Sequence, residues 1–225
     1  MTGHPPPIPV VPVGLRVEGR DILVVGAGRI AARKAEAYVA QGARVTVVAP
    51  DHGPAMDRLP VVGRHHRCFR PSDLDGMWLA VAATGIPEVD GAVHAAAEAR
   101  RIWCNAADDP EHCSVILPAV TRRGPITVSI GSGGVSPAAT GWLRRRLTPL
   151  LDDETLAVVE AAARVRTIVR QAGLPTEVPG WAEVLDDHGL RLARDGRIEE
   201  LERRLLDAVV GQRTEPAGTA AGPAR

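Results

Sequence analysis

Short apolar, β-branched runs alternate with amphipathic stretches through the first half of the chain. Asp21–Val25 (DILVV) is such a run; it meets Gly26-Ala27-Gly28, and a helical stretch from Arg29 to Gln41 follows, closed by Gly42. Arg44–Val48 (RVTVV) predicts a second buried strand, stopped by Ala49-Pro50. Val61–Phe69 predicts a third strand, weakened by His65-His66-Arg67. Trp78–Ala82 (WLAVA) predicts a fourth, the alanine-rich stretch Pro87 to Arg100 a helix, and Ile102–Cys104 a fifth strand. Strands alternating with helices at this spacing predict an α/β fold, a Rossmann-type parallel sheet covered on both faces.

The pattern changes after Pro110. Ser114–Val120 and Ile126–Ile130 read as strands joined by a turn over Arg122-Arg123-Gly124-Pro125, a hairpin with no helix of its own. Ser136-Pro137 places an N-cap and a first-turn proline at a helix start. From there the pattern is helical. Val158, Ala162, Val165 and Val169 recur at helical spacing over 153–172, which Gly173 and Pro175 end. Ile198, Leu201, Leu205 and Val209 form a second stripe over 197–210. These boundaries divide the chain into a nucleotide-binding domain over 1–112, a small β region over 113–147 and a helical region over 148–212. The Ala/Gly/Pro-rich tail over 213–225 is expected to be disordered.

Composition removes several functions. Lys+Arg and Asp+Glu are both 27, a balance that argues against nonspecific binding to nucleic acid or an acidic membrane surface. No apolar run is long enough for a membrane span, and the proline-rich start over 1–12 lacks a secretory leader pattern, so a cytoplasmic protein is expected. Cys68, Cys104 and Cys113 are an odd, scattered set, which excludes a disulfide framework and a cysteine-caged zinc; no metal ligands are assigned. Lys34 is the only lysine, and Tyr38, the only tyrosine, has no lysine four residues on, so a Tyr-x-x-x-Lys dehydrogenase is excluded.

The strongest local signal is Gly26-Ala-Gly-Arg-Ile-Ala31, a G-x-G-x-x-A turn between a strand and a helix. The first glycine permits the turn, the second admits a pyrophosphate to the backbone, and the helix N-terminus offers N–H groups to the phosphates. The acid expected at the end of the second strand arrives late, as Asp51, which reads equally as a ribose ligand or a solvated loop residue. No arginine follows it to take a 2′-phosphate, which favours NAD over NADP. Past the last strand stands Cys104-Asn-Ala-Ala-Asp-Asp-Pro-Glu-His-Cys-Ser114. Asp108 and Asp109 there read equally as a base, a metal ligand or an Asp-Asp-Pro turn.

Four blocks together resemble the precorrin-2 dehydrogenase family, the dehydrogenase–chelatase module of siroheme synthases. They are Val24–Lys34, Leu79–Thr84, Cys104–Pro110 and Ser129–Pro137, in matching order from about Pro12 to about Leu151. The resemblance implies NAD-dependent oxidation of precorrin-2 to sirohydrochlorin by a homodimer, with ferrous iron insertion as a second activity in some members. It implies that Gly26, Gly28, Arg29 and Ile30 form the pyrophosphate turn, Pro50 and Asp51 the adenosine-ribose loop, and Thr84 the loop beside the nicotinamide. It implies Asp108 as the catalytic aspartate, in register with Asn105, and Ser132 as a residue of the tetrapyrrole cleft. Gly85 and Asp90 stand where the family often has an acid and an asparagine. The substrate carries many carboxylates, for which Asn105, Ser132, Arg122 and Arg123 are the candidate contacts, with Arg144-Arg145-Arg146 behind them. The arginines read also as a solvated turn and a solvated helix face. His112 reads as a metal handler or as a hydrogen-bonding loop residue. Two other readings remain: a nonenzymatic NAD-sensing module, and a chelatase without dehydrogenase activity.

Overall fold

The computed structural model describes residues 8–107, 109–178 and 180–211. The chain divides into two compact units. The first holds the described residues up to Pro118 together with Ser132–Ser136; the second holds Ala119–Gly131 and the chain from Pro137 on.

The first unit is built on a five-stranded parallel sheet: β1 (Asp21–Val25), β2 (Arg44–Ala49), β3 (Gly63–His66), β4 (Leu79–Ala82) and β5 (Trp103–Ala106), in the order β3-β2-β1-β4-β5. The helices α1 (Arg29–Val39), α2 (Pro54–Asp57) and α3 (Pro87–Glu98) connect the strands. The apolar runs explain the arrangement, because strands buried on both faces need apolar side chains at every position. Ile22 and Val24 of β1 join Ala31, Ala35 and Tyr38 of α1 in one core. Leu23 and Val25 point the other way and join Val93 and Ala97 of α3 in another. Each of these fully buried β1 side chains contributes on the order of 1.5–3 kcal/mol. The weak third strand is real but short, and it lies at the sheet edge, where its His and Arg side chains discourage pairing with another chain. The fifth strand lies slightly later than expected.

In the second unit β6 (Ala119–Arg123) and β7 (Ile126–Ile130) form an antiparallel hairpin. The predicted strand over Ser114–Val120 and turn over Arg122–Pro125 are both displaced. The Ser114 and Val115 N–H groups instead donate to the Cys104 carbonyl at 2.9 and 3.1 Å, so that stretch lies along β5. Ladder pairing begins only after Pro118, which has no N–H to give. Arg122 and Arg123 stay in the ladder, opposite Thr127 and Ile126, and the turn shrinks to Gly124-Pro125. Gly124 has φ +52°, the sign the first position of a tight type II′ hairpin demands.

The helices of this unit are α4 (Pro137–Leu147), α5 (Asp153–Gln171), α6 (Gly180–Val184), α7 (Asp187–Arg194) and α8 (Ile198–Gly211). The stripes read from sequence are the core: Val158, Val165 and Val169 of α5 pack with Leu192 of α7 and Leu201, Leu205 and Val209 of α8. Asp152 caps α5 by accepting from Thr155 N at 2.8 Å, and Asp186 caps α7 by accepting from Gly189 N at 2.8 Å. Asp186 also takes both arms of Arg204 at 2.9 Å, and that guanidinium holds its carboxyl well below the usual range. The expected disordered tail over 213–225 lies outside the described residues.

Candidate functional site

The strand order reverses between β1 and β4, each of which leads into a different side of the sheet. Ligands of open α/β sheets bind at that switch point, outside the carboxyl ends of the strands. The Gly26–Gly28 turn leaves β1 there. Gly26 has φ +107°, and a Cβ at that position would stand 2.4 Å from the Ala83 carbonyl oxygen. The turn is therefore clamped to the residue following β4, and the Gly53 N–H clamps it from the other side through Ala27 O at 3.1 Å.

Gly28 differs. Its φ is −74°, and a Cβ there would meet no protein atom within 4 Å. Nothing in the protein requires a glycine at this point. As the N-cap of α1 it supplies no side-chain cap, and the first turn of α1 carries no acid. Gly28, Arg29 and Ile30 are exposed. The result is a helix N-terminus with donors and a positive dipole end facing open space, which suits a pyrophosphate. These residues fit a dinucleotide.

Pro50 and Asp51 follow β2 and are exposed. The next residue, His52, was not singled out by sequence. Its side chain is 1% exposed, neither ring nitrogen has a hydrogen-bond partner, and its ring stacks on His66 at 4.0 Å. Burial, aided by His66, pushes its pKa below the ordinary 6.5.

After β4, Thr84 is held by Asp90 of α3. The Thr84 N–H and hydroxyl both donate to Asp90 Oδ1, at 3.1 and 2.8 Å, and the Ile86 N–H donates to the Thr84 hydroxyl at 3.0 Å. Asp90 is buried, at 5% exposure. A carboxylate only accepts, so it suits two converging donors.

After β5, which ends at Ala106, the chain comes back to lie along the same strand from Ser114. Asn105 is buried; it donates from Nδ2 to Val115 O at 2.9 Å and accepts at Oδ1 from Lys34 Nζ at 2.6 Å. Cys113 seals the loop: its Sγ accepts from Ala106 N at 3.2 Å and donates to Ala106 O at 3.1 Å. Burial raises the Cys113 thiol pKa. Asp108 lies outside the described residues. Asp109 is engaged: Oδ2 meets His112 Nδ1 at 2.6 Å, which lowers the Asp109 pKa, and Oδ1 accepts from His112 N at 3.3 Å. The His112 ring also stands edge-on to His94, with centroids 5.3 Å apart. Among the described residues no group of three or more His, Cys, Asp or Glu side chains is placed to hold a metal ion.

The sheet edge thus brings together the glycine turn, Asp51, Thr84 and Asn105. Ser132 belongs to the same unit, where its hydroxyl accepts from Ser136 N at 3.1 Å. Arg122 and Arg123 lie on β6 of the second unit, Arg123 paired with Asp153. Sequence reading missed Lys34 as a partner of Asn105 and Asp90 as the anchor of Thr84. The signal for both lay in pairs far apart along the chain, which only the sheet topology joins.

Residues 13–119 match a family model described as "Putative NAD(P)-binding". The chain is 34% identical over 215 residues to siroheme synthase 3 of Aeromonas hydrophila, covering 92% of this chain and 46% of that protein. It is 36% identical over 205 residues to the siroheme synthase of Nitrosomonas europaea, covering 88% of this chain and 43% of that protein. A solved structure titled SirC, precorrin-2 dehydrogenase, matches with a TM-score of 0.67 at 22% identity, covering 86% of this chain and all of that one. That likeness confirms the Rossmann-type architecture. The chain spans about half the length of the curated relatives it matches. The chain thus carries an NAD(P)-binding domain, and its similarity to siroheme synthases runs over most of its own length and about half of theirs.

Proposed function

We propose that the protein oxidises precorrin-2 to sirohydrochlorin with NAD, as a homodimer in the cytosol. The observation that carries this reading is the open cradle at Gly28, at the switch point of a chain homologous to siroheme synthases. NAD supplies the hydride acceptor when bound. Gly26 and Gly28 admit its pyrophosphate, with Arg29 and Ile30 on the same turn. Pro50 and Asp51 face the ribose, and no arginine follows Asp51 for a 2′-phosphate. Thr84, fixed by Asp90, borders the nicotinamide. Oxidation also releases a proton, and Asp108 takes it. Asn105 and Ser132 line the substrate side; the guanidinium groups of Arg122 and Arg123 suit carboxylates.

Two observations support the assembly and its place. A two-stranded ribbon is marginal in water, and although α4 packs on β6 and β7, none of their side chains is fully buried, which supports a second copy as further cover. Cys68, Cys104 and Cys113 are all free thiols, as a reducing compartment keeps them.

The test is purified protein with precorrin-2 and NAD, followed by absorbance. NADH appearing with sirohydrochlorin is the expected result; bound NAD without turnover would favour a sensing module. Asp108→Ala should slow turnover by roughly 10²–10⁴-fold. Asp109→Ala should cost far less, since Asp109 is committed to His112. Running the assay with ferrous iron as a substrate reads iron insertion separately.

A further inference from the structure

The neck of the 107–113 loop is held from an unexpected direction. Of 27 basic residues, Lys34 is the one lysine, and it sits in the middle of α1, the helix whose N-terminus is the glycine turn. Its Nζ reaches Asn105 Oδ1 across 71 positions of sequence, at 2.6 Å. The bond is charge-assisted and part-buried, so it is stronger than a neutral surface contact.

The chemistry of the pair is directional. An ammonium only donates, so it pairs with the oxygen end of the Asn105 amide and never with the nitrogen end. That fixes the rotation of the amide and turns Nδ2 toward Val115 O at 2.9 Å. Val115 is where the returning chain meets β5, and its own N–H bonds Cys104 O at 3.1 Å. Beside it Cys113 Sγ closes on both polar groups of Ala106. The loop between these clasps carries Asp109 and His112.

We propose that Lys34 is a positioning residue that ties the cofactor-binding helix to the neck of the 107–113 loop by locking the Asn105 amide. Its action is through the Asn105 amide. Its effect on the oxidation rests on the dehydrogenase reading above; its effect on the loop does not.

The experiment uses the full chain and the variants Lys34→Met and Lys34→Arg. Alkylation of Cys113 by iodoacetamide, read peptide by peptide in a mass spectrometer, reports opening of the neck, with the exposed Cys68 as internal control. In Lys34→Met, Cys113 should react about tenfold faster, the change one lost charge-assisted hydrogen bond makes in a local opening equilibrium, while Cys68 is unchanged. NAD affinity should hold, KM for precorrin-2 should hold, and kcat should fall roughly 10- to 100-fold, as a misplaced site predicts. Lys34→Arg keeps a donor and should restore most of both readouts. Should Lys34→Met fail to fold by circular dichroism, Lys34→Leu, which also lacks a donor, replaces it with the same expected outcomes. Unchanged Cys113 labelling would overturn the clasp. Faster labelling with wild-type kcat would overturn its bearing on the reaction. If the wild type does not oxidise precorrin-2, the dehydrogenase reading falls, and the labelling rates alone decide the clasp.

Discussion

Gly26 and Gly28 stand two positions apart and answer to different constraints. At Gly26 the protein itself forbids a side chain: φ is +107° and a Cβ would strike the Ala83 carbonyl. At Gly28 the protein forbids nothing: a Cβ there would meet open space. Gly26→Ala should therefore destabilise the fold by more than about 1 kcal/mol, read as a lower unfolding midpoint. Gly28→Val should leave the midpoint nearly unchanged and abolish NAD binding by calorimetry. The reverse pattern would remove the turn from the cofactor site. His52 gives a pH prediction at the same scale. Its pKa is lowered in the fold by burial, then by His66 and Arg64, against the opposing pull of Asp57 and the His65 backbone. A histidine with a lowered folded pKa binds fewer protons when folded than when unfolded. The stability it contributes is present in full above the ordinary value of 6.5 and is lost as pH falls through the lower folded value. Unfolding midpoints of the wild type should drop as pH falls from 6.5 toward the lower folded value, and those of His52→Phe should drop less. The glycine turn was legible in sequence because its residues are contiguous. His52 was not, because its burial depends on α2 and β3 closing over it.

At the scale of elements, the connection between β4 and α3 shows how one buried acid organises a loop. Asp90 accepts both donors of Thr84, so the loop after β4 is anchored to the first turn of α3. Asp90→Ala leaves those donors without a partner, a penalty of about 1–3 kcal/mol when such groups stay buried. Backbone amides of Thr84 and Ile86 should then exchange hydrogen faster, with the rest of the sheet unaltered. Asp90→Asn keeps an acceptor of the same shape and should exchange nearly as the wild type does. Equal exchange in all three proteins would show that the backbone holds this loop unaided. Elements with a long period were legible: the α5 and α8 stripes lie within a residue of where the spacing of Val165, Val169, Leu201 and Leu205 puts them. The short α6 and α7 were not legible, since five and eight residues give only one to two turns of the pattern. β6 was misplaced because Ser114–Val120 has the composition of a strand but spends its first N–H groups on β5.

At the scale of the whole molecule, two units each close a core of their own. Leu23, at 0% exposure, packs in the first against Val93 and Ala97. Leu205, also at 0%, packs in the second against the valines of α5. NAD should bind only the first unit, and a ligand stabilises only the cooperative unit that binds it. Hydrogen exchange followed by mass spectrometry separates the two, because peptides from β1 and α3 report one core and peptides from α5 and α8 the other. Saturating NAD should slow exchange in the first set and leave the second unchanged. Leu205→Ala should cost about 2–5 kcal/mol, confined to the second set, with NAD affinity retained. Leu23→Ala should do the reverse and weaken NAD binding, since β1 carries the glycine turn. If NAD slows both sets, or if Leu205→Ala loosens β1 as much as α8, the units fold as one. The cradle at Gly28 would then depend on the helical region for its stability. Unequal responses would mean that the cofactor site is stabilised by the Rossmann core alone, and that the helical region contributes elsewhere.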